Sequence, residues 1–304
     1  MNPALSWNVP SDIDQLFSYT FMVNALEAGT IAAVMAALVG WYMVLRRQSF
    51  AGHTLSVMAF PGAAGAALAG LPLALGYYVA CTVAALAMGP AQRRNGHAYG
   101  AESAAIGTVQ ATGLAIGFLF LSLYKGVLGS LESLLFGSFL GISPQEVLTL
   151  LVLAALVLAV LALIGRPLLF ASIDPLLARA RGVPVRLLST GFLVLLGFAV
   201  AATSQITGAL LVFALLITPA ASAHSLTCRP ALSLALTVSF ALLTTWIGLG
   251  LAYYSPYPVG FWITSVAFVL YLLARLARLA GERARDRRDR RGRAGAPPMA
   301  VLGA

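Results

Sequence analysis

Apolar stretches of about twenty residues return along this chain, and nothing else in it limits the possible folds so tightly. Residues 148–164 and 231–254 contain no charged side chain. About twenty apolar residues in a helix cross the hydrocarbon of a bilayer. Of the 304 residues, 60% are hydrophobic and 10% charged, where soluble domains carry about a quarter charged residues. A water-soluble chain of this length has too little interior to hide so much apolar surface. A membrane β-barrel would alternate apolar and polar residues in segments of about ten, and no such alternation is present. The expected fold is all-α, a polytopic bundle of membrane helices.

Nine spans are predicted, at about residues 21–45, 51–69, 73–88, 103–123, 147–164, 187–203, 209–226, 231–253 and 259–279. The second and third are short and joined by Gly70-Leu71-Pro72, so one hairpin that does not fully cross is an alternative. Residues 126–143, moderately apolar but interrupted by Glu132, Ser and Gly, read as interfacial or re-entrant. Cytoplasmic loops are enriched in Lys and Arg. With the N-terminus outside and nine crossings, Arg46, Arg47, Arg93, Arg94, the 166–186 loop, Arg229 and the C-terminus fall on the cytoplasmic side. Of 19 Lys and Arg, only Lys125 falls outside, together with Asp12, Asp14, Glu132 and Glu146.

This frame divides the chain into three parts. Residues 1–20 form an extracytoplasmic segment whose acidic start is unlike a cleaved signal peptide. Residues 21–279 form the transmembrane domain. Residues 280–304 read as a disordered cytoplasmic tail, with seven Arg between 281 and 293, lying against anionic membrane lipid. The formal charge of +9 is therefore spread over loops and tail, which argues against a nucleic-acid partner. Cys81 and Cys228 have no Cys or His spacing around them and read as small apolar fillers.

Ionisable groups inside a membrane are costly and mark candidate pathways. Glu27 lies in the first turns of span one, either in the path or reaching water at the interface. Glu102 complements the dipole at the start of span four. His53 follows Arg46-Arg47 at the entry to a helix broken by Pro61-Gly62, and Ser56 lies near it on one helical face. Imidazole suits zinc, copper, iron or nickel, so His53 is the candidate metal contact; the plain alternative is a bridge between helices. His97 and His224 read as interfacial polar residues. Gln205 belongs to the polar run 203–208 between spans six and seven, and Thr218-Pro219 breaks span seven near mid-membrane, which suits a cavity lining or a packing kink.

The cytoplasmic stretch at about 170–185 has a different character. Asp174 is placed to cap a helix, Pro175 to open it and Gly182 to stop it, with Arg179 and Arg181 between. A short capped helix between two spans is a knob for a soluble partner. No Gly-rich loop ends in Gly-Lys-Ser/Thr, so the chain has no ATPase site of its own and is not read as an enzyme. Nor does it contain the His-Glu-x-x-His of a metalloprotease. An ion-coupled secondary transporter would need buried carboxylates, and no Asp lies within a span.

Four segments, in order, carry a resemblance: Val44-Leu45-Arg46-Arg47-Gln48-Ser49-Phe50-Ala51-Gly52 leading to Pro61-Gly62; Glu102-Ser103-Ala104-Ala105-Ile106-Gly107; Ile173-Asp174-Pro175 through Ala180-Arg181-Gly182-Val183; and Gly208-Ala209-Leu210-Leu211-Val212 through Thr218-Pro219-Ala220-Ala221. The chain resembles the permease subunits of ATP-binding-cassette importers for zinc, manganese and iron, from about residue 21 to 279. That resemblance implies a homodimeric permease of the bacterial plasma membrane, two cytosolic ATP-binding subunits that consume ATP, and an extracytoplasmic solute-binding protein. It implies a divalent metal as substrate, moved by alternating access, and no cofactor bound by this chain. The segment around Asp174, Pro175, Arg179, Arg181 and Gly182 would couple to the ATPase; His53, Ser56, Gln205, Thr218 and Glu27 are the candidate pathway residues.

One departure stands out. The family's Gly-Asp-Ala-Leu/Ile-Ser-His is replaced here by Gly52-His53-Thr54-Leu55-Ser56-Val57. In the family the Asp and His are thought to meet the metal; here the carboxylate becomes His53 and the imidazole becomes Val57. The cargo is then held transiently with water attached, or it is a different metal or a metal chelate, and manganese, which prefers oxygen ligands, is disfavoured.

Overall fold

The computed structural model describes residues 15–89, 99–124 and 141–294. Among them the chain forms α1 (Thr20–Leu45), α2 (Ser49–Leu68), α3 (Leu73–Met88), α4 (Tyr99–Leu123), α5 (Pro144–Ile173), α6 (Pro175–Ala180), α7 (Val185–Thr207), α8 (Ala209–Leu226), α9 (Pro230–Tyr253) and α10 (Val259–Ala294). No strand occurs among the described residues. A helix stands at each predicted span, with α6 in the expected loop. Six carry stretches long and apolar enough to cross a membrane: α1, Ser103–Leu123 of α4, α5, α7, α9 and Val259–Arg283 of α10. The other three are shorter or less apolar: α3 has 16 residues, about 24 Å of helix, and α2 is rich in small and polar residues. Asp12, Asp14, Arg93, Arg94, His97, Lys125 and Glu132 lie outside the described residues, as do most of 126–143 and the side chain of Glu102.

Local signals account for the helix ends. Ser143 and Glu146 form a capping box at α5: the Ser143 hydroxyl accepts from the Glu146 amide (3.3 Å), and the Glu146 carboxylate accepts from the Ser143 amide (2.8 Å). Pro175 and Pro230 open α6 and α9 where no amide donor is missed. Two expectations are corrected. Pro61 and Pro219 lie inside unbroken helices; proline removes one amide donor each, a loss that packed neighbours tolerate in membrane helices. The last helix also runs to Ala294, well into the stretch read as a disordered tail. Arg and Ala are strong helix formers, and Arg278 pairs with Glu282 one turn on (2.8 Å).

α1 is the central helix: 61% of its most apolar window is buried, against 11% in α4. Ala25, Ala28, Ala32 and Ala36 form a fully covered stripe along it, and small residues let neighbouring backbones approach closely. At Gly40 a methyl group would overlap the backbone carbonyl of Leu216 on α8. The α2–α3 pair meets the same way, since a methyl at Gly62 or Gly76 would overlap the other's carbonyl oxygen.

Named contacts give the helix directions. Asn24 Nδ2 donates to the Ile142 carbonyl (2.9 Å) and Tyr42 Oη to the Gly165 carbonyl (3.3 Å), so α1 and α5 run parallel. Arg46 at the end of α1 reaches Ser189 at the start of α7, so these two run antiparallel. Likewise Trp41 Nε1 donates to Ser233 and Trp246 Nε1 to Thr30, which sets α9 antiparallel to α1. Tyr78 with Gln205 and Gly89 with Thr190 set α3 antiparallel to α7. α3 therefore packs on α7 as α9 packs on α1, and α2 packs on α4 as α8 packs on α10. The order of buried, half-buried and exposed positions along 74–89 recurs, position for position, along 234–249. The bundle thus holds two inverted copies of one four-helix unit, α1–α4 and α7–α10.

Candidate functional site

The turn from α1 to α2 sets the position of His53. Arg46 caps α1, the Gln48 amide returns to the Met43 carbonyl (2.9 Å), and Arg47 takes a positive φ of 58°. A non-glycine residue there costs about 1–2 kcal/mol, and it turns the chain sharply from α1 into α2. His53 then lies in the second turn of α2, its ring meeting Phe213 of α8 edge to face at 4.8 Å between centroids. The shift that carries 74–89 onto 234–249 also carries His53 onto Phe213, so the two rings face each other from equivalent places in the two copies. The Nδ1 atom of His53 is buried and has no hydrogen-bond partner among the described residues. A buried polar atom left unpaired costs about 1–3 kcal/mol; a passing cation or a proton donor would relieve that.

The other candidate residues do not gather around it. The Ser56 hydroxyl donates to the His53 carbonyl (2.8 Å), closing its own helix. Gln205 is exposed and donates to Tyr78 Oη (3.0 Å) and the Ala201 carbonyl (3.2 Å). Thr218 is half-buried, its carbonyl accepting the Ser222 hydroxyl (2.7 Å). Glu27 is exposed near the start of α1. His53 lies by the far end of that helix, since neighbouring Gly52 abuts Met43. Sixteen residues of helix separate Glu27 from Met43, about 24 Å, so Glu27 and His53 form no pair. Among the described residues no three His, Cys, Asp or Glu side chains converge.

Three features escaped the sequence reading. The Thr54 hydroxyl donates to Gln110 Oε1 (3.0 Å), tying α2 to α4 beside His53; no sequence spacing announces a pair so far apart. Phe213 looked like one more apolar residue of a span. His224, half-buried in the last turn of α8, stacks on Trp41 (5.3 Å between centroids) and its Nε2 bonds the Trp41 carbonyl (3.3 Å). Cys81 is buried as a filler, while Cys228 is exposed at the turn before α9.

α6 is built as its sequence foretold. Asp174 Oδ1 accepts from the amides of Leu176 (3.1 Å) and Leu177 (2.9 Å). At the far end Gly182 adopts φ +80°, a region that only glycine enters freely. Its amide bonds the Arg179 carbonyl, while that of Val183 bonds the Ala178 carbonyl, both 3.0 Å, closing the helix as a Schellman motif. Ala178 is fully buried against Ala171 and Val185. Ile173 and Leu176 face outward, 69% and 76% exposed, with Arg179 and Arg181 beside them.

The sequence model of the ABC 3 transport family matches residues 18–278. The chain is 30% identical over 242 residues to the manganese transport system membrane protein MntC of Halalkalibacterium halodurans, covering 80% of this chain and 82% of that one. It is 32% identical over 240 residues to the chelated iron transport system membrane protein YfeC of Yersinia pestis, covering 79% and 80%. Among solved structures it is similar to PsaBC from Streptococcus pneumoniae in complex with Fab, with a TM-score of 0.77 and 27% identity over 88% of this chain and 95% of that one.

Proposed function

The chain belongs to the ABC 3 transport family, and on that premise we propose that it is the membrane permease of a metal importer, driven by ATP that partner subunits hydrolyse. It is a multi-pass helical protein of the bacterial inner membrane. In this reading the chain crosses nine times with its N-terminus outside. It pairs with a second copy, two cytosolic ATP-binding subunits and an extracytoplasmic binding protein.

The observation that carries the reading is α6: a six-residue helix capped at both ends, anchored by Ala178, with Ile173 and Leu176 turned outward. A loop needs no such construction; a part that receives force does. Closure of the ATPases presses α6, the flanking α5 and α7 tilt, and the two inverted copies exchange the side on which the His53–Phe213 contact is open. The cargo is a divalent metal. Related permeases are named for manganese and chelated iron; imidazole without a carboxylate suits iron or zinc better than manganese. With one imidazole and no converging partners among the described residues, the path touches the cation and lets it leave with water still attached. Reconstitution with the cassette ATPase and binding protein in liposomes, assayed for uptake of iron, zinc and manganese, tests this. ATP-dependent uptake of one of them is expected; ATP-independent uptake, or none of the three, overturns it.

A further inference from the structure

Arg46 is half-buried at the end of α1, and among the described residues no carboxylate pairs with it. Its Nη1 donates to the Ser172 hydroxyl (3.1 Å), Nη2 to the Ser189 hydroxyl (2.6 Å) and Nε to Gln48 Oε1 (3.4 Å), and the guanidinium lies over the Phe192 ring at 5.6 Å. Ser172 stands two residues before Asp174, in the last turn of α5; Ser189 lies early in α7. The two hydroxyls are therefore the two roots of the segment that carries α6, and one side chain grips both. On its other side Arg46 runs directly into Arg47, Gln48 and the start of α2, with His53 in the second turn.

We propose that Arg46 is a positioning residue that carries displacement of α6 to the His53 end of α2. The inference rests on the coupling reading of α6. Stability alone does not explain the arrangement. A cation partly withdrawn from water against neutral hydroxyls gains little in stability. Burial accordingly pulls the Arg46 pKa below its ordinary value. What the guanidinium does supply is a rigid planar fork whose donors diverge to two helices, a geometry that Lys does not reproduce. The Ser172 hydroxyl also donates to the Leu168 carbonyl, which leaves its lone pair aimed at Arg46 and fixes that arm of the fork. When the roots of α6 move, the fork moves, and the α1–α2 corner moves with it.

The test uses the whole complex in liposomes and reads metal carried per ATP hydrolysed. Arg46→Met keeps the length of the stem and removes all three donors; the double variant Ser172→Ala, Ser189→Ala leaves the cation and removes its grips. For both, hydrolysis within about twofold of the parent and a roughly tenfold fall in metal per ATP are expected. Arg46→Lys is expected not to restore the ratio. A ratio within about twofold of the parent in Arg46→Met and in the serine double variant overturns the proposal. Should Arg46→Met fail to assemble, the serine variant alone decides. A Leu176→Asp control separates the two readings: if it still binds and stimulates the ATPase, the coupling role of α6 fails. If it loses the ATPase while Arg46→Met transports normally, only the Arg46 inference fails.

Discussion

The His53 imidazole meets the Phe213 ring edge to face, centroids 4.8 Å apart, from the equivalent helix of the other copy. The contact closes one side of the imidazole with carbon, and the buried Nδ1 has no partner among the described residues. The pair joins the two copies of the repeat.

His53→Ala is expected to lower uptake about tenfold or more, equivalent to about 1.4 kcal/mol of cation binding, with expression and complex assembly unchanged. His53→Gln keeps a donor and an acceptor and is expected not to restore uptake. Native uptake by His53→Gln would reduce His53 to a bridge between helices. His53→Asp combined with Val57→His places a carboxylate and an imidazole four residues apart on one helical face. Competition assays should then show preference moving toward zinc or manganese.

The surface of α6 separates binding from stability. Leu176 is 76% exposed, so Leu176→Asp is expected to leave the thermal midpoint of the purified permease unchanged while abolishing co-purification of the ATPase subunit. Asp174→Ala removes a cap worth about 1 kcal/mol and should weaken the same association partially. Undiminished co-purification in the charge-reversed pair Asp174→Lys, Arg179→Glu would place the contact elsewhere.

The Gly62–Gly76 approach predicts a stability defect. Gly62→Leu forces apart two helices that touch through backbone, at an expected cost of about 1–3 kcal/mol, read as a lower unfolding midpoint in detergent. Gly250→Ala, at a position with open space around it, is the matched control and should be silent.

Orientation is tested by thiol labelling. With Cys228 and Cys81 replaced by Ala, Leu5→Cys should react with an impermeant maleimide in intact spheroplasts, and Ala300→Cys only after lysis. The reverse pattern would overturn the nine-crossing frame.

Among the described residues, the placement of the helices was legible in the sequence because bilayer thickness and backbone hydrogen bonding are local demands, met residue by residue along each apolar run. The same holds for α6, whose Asp174, Pro175 and Gly182 act within one or two turns of themselves. The path of the last helix beyond residue 280 was missed because charge density hid strong helix formers. Pairings at long range were not legible at all. Nothing in the sequence tells that Thr54 meets Gln110, that Arg46 spans Ser172 and Ser189, or that Phe213 closes on His53. Nor does it reveal the inverted repeat, because lipid-facing and protein-facing residues are equally apolar and leave hydropathy with no face to read. Hydrophobicity decided that these helices lie in a membrane; only close packing of Gly, Ala and hydroxyl-bearing residues decided which of them touch.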